Sequence, residues 1–201
     1  MFNNKILIPI IFVLFLFGCG SITWTNGYTL TRAENKAYSY KIMNNKKLEW
    51  ADFTGKPDHT KPWTAASIYL KIFYTTDSSY NYALPGEDGE GYTEPNLKVY
   101  YAMDERSWVK NRYKNDAVLN HEEGHLNIAK MCALDFQKTV QLMKPIKRFN
   151  CKGRLDSIQS MINGKSKQIQ DMYDVETNHG LNNEKQQLWD KKIAELINKL
   201  K

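Results

Sequence analysis

The chain has 201 residues and a formal charge of +6, with 25% charged and 42% apolar residues. That is enough chain for one core, and the composition fits neither a disordered nor a repeat protein. The basic excess is mild, and with the export signal described next it argues against nucleic acid as a partner.

Met1-Phe2-Asn3-Asn4-Lys5 is a short cationic opening, and Ile6 to Phe17 is apolar apart from Pro9. This pattern reads as a signal peptide over residues 1–18, too short for a comfortable membrane span. Leu16-Phe17-Gly18-Cys19 resembles a bacterial lipobox, so cleavage and lipidation at Cys19 are expected, with attachment to the membrane through that lipid. The implied address is the bacterial cell envelope, facing periplasm or exterior. With Cys19 removed, Cys132 and Cys151 remain as an even pair in an exported chain, which suits a disulfide.

Residues 19–45, rich in Thr, Asn, Tyr and Lys without a period, read as a tether ahead of a domain spanning 46–201. Leu48 to Phe53 alternates as a short strand and stops at Thr54-Gly55-Lys56-Pro57. Ala66 to Thr75 is a stronger strand with Ile68, Leu70, Ile72 and Tyr74 on one face. Leu97 to Met103 repeats the pattern with Leu97, Val99, Tyr101 and Met103. The acidic, glycine-rich run from Pro85 to Gly91 is expected to lack regular structure. A helix is predicted from Asn115 or Asp116 to Met143, a second from Arg154 to Asn178, and a last amphipathic one opened by Asn182 or Asn183. Lys and Arg crowd residues 138–167, where Asp156 is the single acid, and read as solvated helix faces.

The first helix carries His121-Glu122-Glu123-Gly124-His125, an HExxH signature. At 100° per residue the two histidines lie one turn apart on one face, where both imidazoles reach one ion. Glu122 sits at the margin of that face as a candidate general base, and Glu123 points away. Val118, Ile128, Ala129, Cys132 and Phe136 fall near the histidine side, so the histidines belong to a buried stripe, which a metal ion explains.

A catalytic zinc takes three protein ligands. The metzincin pattern needs Gly three and His six residues after the second histidine, and Ile128 and Met131 occupy those places. The third ligand then comes from the second helix or just beyond it: Asp156, Asp171, Asp174, Glu176, His179 or Glu184. His179, beside Gly180, leads this set, with Asp174 and Glu176 next. Tyr173 is equally a core ring or a hydrogen-bond donor to an oxyanion.

Three blocks, Leu48-Glu49-Trp50-Ala51-Asp52-Phe53-Thr54-Gly55, Leu119 to Ile128, and Tyr173 to Gly180 with Gln187 and Trp189 behind it, resemble the bacterial family called domain of unknown function 922, whose members are taken to be secreted zinc-dependent proteases. The resemblance covers Leu48 to Ile193. It implies a zincin-like α+β domain, a small antiparallel or mixed sheet packed on the HExxH helix with the second long helix and the C-terminal amphipathic helix. It also implies His121 and His125 as zinc ligands, Glu122 as the base and, through Thr177, His179 and Gly180, His179 as third ligand. Glu123 and Leu126 stand where Gln and Phe are expected, away from the ion.

The expected function is that of an envelope-anchored zinc endopeptidase acting on a protein or peptide substrate. Asp174 or Glu176 would serve as alternative ligand or as support for a ligating histidine, and strand Leu97–Met103 would pair with substrate backbone. The rival expectation is a non-catalytic envelope lipoprotein using the same helix for structural zinc or for a partner.

Overall fold

The computed structural model describes residues 22–25, 28–33, 36–76, 84–85, 91–93, 97–143 and 146–201, with side chains described at 40–75, 97–143 and 151–201. The expected signal peptide, Cys19 and the middle of the acidic run, residues 86–90, lie outside the described residues. Within them no helix is long and apolar enough to cross a membrane.

The strands are β1 (Ile22–Thr25), β2 (Tyr28–Ala33), β3 (Lys36–Ile42), β4 (Ala66–Ser67), β5 (Leu70–Thr76), β6 (Leu84–Pro85), β7 (Gly91–Thr93), β8 (Leu97–Asp104), β9 (Trp108–Val109) and β10 (Ile146–Lys147). The helices are α1 (Asp116–Gln141), α2 (Arg148–Thr177) and α3 (Asn183–Leu200). All described strand pairs are antiparallel. The main sheet has the order β1-β2-β3-β8-β5, with two small sheets, β10-β7-β6 and β4-β9, beside it. The architecture is α+β, with strands first and the long helices last.

The strand expected over Ala66 to Thr75 is broken after Ser67 into β4 and β5, which lie in different sheets, but within β5 and β8 the alternation holds because a pleated strand turns successive side chains to opposite faces. Ile72, Tyr74, Val99, Tyr101 and Met103 join the core that includes Ile128, Ala129 and Phe136 of α1. On the other face Phe73 and Ala102 are also buried, packed with Tyr40 and Tyr100. α1 therefore packs against the sheet and against both α2 and α3, and α2 also meets β5. Its N-cap is the expected one, the Asn115 side chain accepting from Val118 N at 3.0 Å. Asn182 caps α3 the same way, accepting from Lys185 N at 3.1 Å.

Five expectations need correction. Residues 22–42 are not a tether but three strands, joined to the core sheet where β3 pairs with β8. Their mixed Thr, Tyr and Lys content hid a two-residue period. Leu48 to Phe53 holds a single 3-10 turn at Trp50–Asp52, closed by Asp52 accepting from Glu49 N at 2.9 Å. Pro85 and Gly91, expected to be irregular, face each other as partners of β6 and β7. α2 begins six residues earlier than predicted, and of the apolar set read for it (Leu155, Ile158, Ile162, Ile169, Met172 and Val175) Leu155 and Ile162 are buried as expected, whereas Met172 and Val175 are exposed and Tyr173 is buried. Cys132 and Cys151 are two buried cysteines and not a disulfide. Burial pushes the Cys132 thiol up to about 11.

A sixth correction bears on function. β8 is an inner strand with partners on both sides, so it has no edge to offer a substrate. The edge strand is β5, and at Ile72 that edge is already closed: the Asn163 side chain of α2 accepts from Ile72 N at 3.1 Å and donates to Ile72 O at 2.9 Å. The amide stands in for a neighbouring strand. Asn163→Ala is expected to leave both backbone groups unpaired and to cost about 1–3 kcal/mol, read as a lower midpoint in denaturant unfolding.

Candidate metal centre

His121 and His125 project from α1 toward α2, both rings buried and 4.9 Å apart edge to face. Gly124, just before His125, leaves room for a side chain of α2. A Cβ there would lie 2.0 Å from the Tyr173 hydroxyl, so only glycine admits the tyrosine ring. That ring stacks on His121 at 4.8 Å and 11° and meets His125 edge-on at 4.9 Å. Tyr173 is thus the platform for both imidazoles.

This corrects the catalytic role considered for Tyr173. Its side chain is fully buried, its one hydroxyl hydrogen goes to the His121 carbonyl at 3.0 Å, and its oxygen accepts from Gln186 Nε2 at 2.6 Å. No hydrogen is left for an oxyanion. Burial pushes its hydroxyl far above the ordinary range.

One residue further along α2, Asp174 places a single oxygen, Oδ1, 3.1 Å from His121 Nε2 and 3.0 Å from His125 Nε2. His121, His125 and Asp174 offer ligand atoms all within 4.8 Å of one another, and among the described residues they form the one such group. The side chain brought up to both histidines is thus Asp174, the alternative to His179, and His179 is not a member of that group. His179 stands at the rim, its side chain mostly exposed and its Nδ1 3.6 Å from Asp174 Oδ1. Glu176 is turned away and accepts from Trp189 Nε1 at 2.8 Å.

The turn after α2 explains why the sequence signal there was strong. Asn178, His179 and Gly180 all have positive φ (49°, 53° and 80°), an unusual run for two non-glycine residues. Buried Thr177 holds it, donating from Oγ1 to Tyr173 O at 2.7 Å and accepting from Gly180 N at 3.3 Å. Gly180 then lies flat against His121, where a Cβ would come within 2.9 Å of the imidazole. Thr177 and Gly180 shape the seat of His121.

Glu122 is buried on the cleft side of α1, and its Oε2 has no hydrogen-bond partner among the described residues. Burial raises its carboxyl above 4.5, against the pull of His125, His121 and the Ile68 backbone amide. Burial alone would lower the His121 imidazole, but its hydrogen bond to Asp174, the nearby Glu122 charge and Gln186 raise it above 6.5. Partial burial opposes ionisation of Asp174, and the two histidines overcome it, holding this carboxyl well below 3.8. Two imidazoles and a carboxylate converging around a buried, unsatisfied carboxylate oxygen have the chemistry of a site for a divalent cation such as zinc. The group opens into a cleft of about 1070 Å³, whose far wall is the chain from Trp63 to Leu70.

Gln186 and Asp190 were missed by sequence reading. Gln186 Oε1 lies 3.2 Å from His121 Nδ1, and its Nε2 donates to Asp190 Oδ1 at 2.8 Å. The available signal was a glutamine at helical spacing within the buried stripe of Trp189, Ile193 and Ile197.

Fold and site together define an α+β chain with a His-His-Asp ligand group built across two helices. Residues 92–180 match the model of the family described as "Bacterial protein of unknown function (DUF922)". The match takes in the HEEGH and TNHG blocks and supports the resemblance over that stretch, while the block at Leu48 to Gly55 lies outside it. No curated protein and no solved structure matches the chain.

Two outcomes follow. Gly124→Ala is expected to force Tyr173 off His121, destabilising the fold by about 1–3 kcal/mol and lowering metal affinity, read by denaturant unfolding and metal titration. In metal-free protein, the stability contributed by Glu122 and His121 is complete below 4.5 and 6.5 and is lost as pH rises through their raised values, whereas that of Asp174 is present above 3.8 and lost as pH falls below it. Its melting temperature should therefore fall as pH rises above 4.5, and further above 6.5. Added zinc should stabilise more over the same range, because ligating imidazoles must be neutral.

Proposed function

We propose that this chain is a zinc-dependent peptidase, with His121, His125 and Asp174 as the ligands and Glu122 as the general base. The observation that carries the reading is Glu122 itself: a buried carboxylate with an unpaired oxygen, one residue from a ligand. A structural zinc site has no use for it, whereas hydrolysis does. Zinc held by these residues supplies Lewis acidity, making a water more acidic and polarising a carbonyl.

The side chains have separate tasks. Glu122 takes a proton from water and returns it to the leaving amine, and its raised carboxyl suits both directions of transfer. Asp174 balances the charge between the imidazoles. His179, exposed at the rim with a ring nitrogen 3.6 Å from Asp174, is placed to donate a hydrogen bond to a bound group, the role Tyr173 is too buried to fill. A peptide enters along residues 66–70 on the wall facing Glu122, upstream of the edge that Asn163 closes. The envelope address and the lipid at Cys19 belong to this proposal on sequence grounds alone.

The test is metal analysis of the purified exported part with peptide-library cleavage. Wild type is expected to hold one zinc per chain. Glu122→Gln should retain the metal and lose at least about 100-fold in kcat. His179→Ala should keep zinc affinity within a few-fold but lower kcat, whereas Asp174→Ala should lose the metal. A wild type without zinc, or a Glu122→Gln chain that cleaves as well as wild type, contradicts the assignment.

A further inference from the structure

The ligand group accounts for Nε2 of His121 but not for what holds its other nitrogen. We infer that Gln186, steered by Asp190, is a positioning residue that keeps His121 turned with Nδ1–H inward and Nε2 toward the metal. The inference rests on the metal reading above and extends it to α3, which lies beyond the matched residues 92–180.

The direction of every hydrogen in the chain of contacts follows from one end. The Asp190 carboxylate has no hydrogen to give, so the part of Gln186 that meets its Oδ1 at 2.8 Å is the NH2 group. The Tyr173 hydroxyl spends its hydrogen on the His121 carbonyl, so its oxygen takes the second hydrogen of that NH2 group, at 2.6 Å. Both hydrogens of the amide are then used. Gln186 Oε1 is left facing His121 Nδ1 at 3.2 Å, and a carbonyl oxygen can only accept. Nδ1 must carry its hydrogen, and the lone pair of the neutral ring is left on Nε2, facing Asp174.

Asp190 is itself fixed. Its Oδ2 accepts from Asn120 Nδ2 at 3.1 Å, and Asn120 is the residue before His121 on α1. The relay thus closes a loop between α1 and α3 around a Gln186 side chain only 4% exposed. His125 has no counterpart: its Nδ1 is buried without a hydrogen-bond partner among the described residues, and its ring is set by the edge contact with Tyr173. One ligand is held by a directed hydrogen bond and the other by packing.

The experiment is a zinc competition titration against a chromophoric chelator, with a long-range 1H–15N spectrum of the zinc-loaded histidines. Gln186→Leu is expected to weaken zinc binding by about 10–100-fold and to remove the protected Nδ1–H signal of His121. Asp190→Asn, which touches no ligand and keeps size and shape, is expected to weaken it by about tenfold. It should exceed the effect of Asp171→Asn, a control that removes one charge from the cleft beside the metal group, and it keeps the test open should Gln186→Leu not fold. Pairing Gln186→Glu with Asp190→Asn keeps an acceptor toward His121 and exchanges donor for acceptor between the two positions, at the cost of turning the Tyr173 hydroxyl hydrogen from the His121 carbonyl to the new carboxylate, so zinc affinity should exceed that of Gln186→Leu. Equal affinities for Asp190→Asn and Asp171→Asn, or an unchanged Nδ1–H signal in Gln186→Leu, overturns the relay alone. A wild type that takes up no zinc overturns the metal reading, and the relay with it.

Discussion

The contact of Tyr173 with Gly124 sets the distance between α1 and α2, and the site depends on that distance. With any larger residue at 124 the tyrosine could not lie between the two histidines. Its ring gives His121 a stacking surface and His125 an edge, and its hydroxyl ties the two helices through the His121 carbonyl. Asp174 is the next residue, so the register that seats the ring also delivers a carboxylate oxygen to both imidazoles. Ligand convergence is therefore a property of helix packing and needs no loop to adjust.

Around that crossing the polar groups are sorted by what surrounds them. Asp174, open to the cleft, keeps its charge because two histidines face it. Glu122, more deeply buried, is penalised for charge by burial and left with an oxygen that has no hydrogen-bond partner among the described residues. Two carboxylates pushed in opposite directions within one cleft suit a division of labour, one holding a cation and the other moving a proton. Farther out, the Asp190–Gln186 pair and the Thr177 turn hold His121 from two sides, so α3 and the end of α2 shape the site without entering it.

Much of this was legible in the sequence where a period or a spacing carries it. The HEEGH spacing placed two histidines and Glu122 on one helical face, and Asn115 and Asn182 announced their helices by capping chemistry. The alternation of β5 and β8 survived because each strand packs a face on α1. What failed was set by partners distant in the chain. β1 to β3 alternate, but with Thr, Tyr and Lys in place of a plainly apolar face, and they join the core sheet where β8 accepts β3 as a neighbour. Glu49 to Asp52 closes a turn through its own carboxylate despite a strand-like pattern. The preference for His179 over Asp174 came from the freedom of a helix end, whereas the register of α2 against α1 brings Asp174, and not His179, up to both imidazoles. Asp174, three positions before the end of α2, stood among the candidates, but nothing in the sequence told which of them the imidazoles would meet.

The central claim is that the two helices present two imidazoles and one carboxylate to a single zinc ion. X-ray absorption at the zinc edge of stoichiometrically loaded protein tests it most directly. The account predicts a first shell of nitrogen and oxygen at about 2.0–2.1 Å with the outer scattering of two imidazole rings, and loss of that pattern in Asp174→Ala. A sulfur shell near about 2.3 Å, or an imidazole pattern untouched by Asp174→Ala, would contradict it.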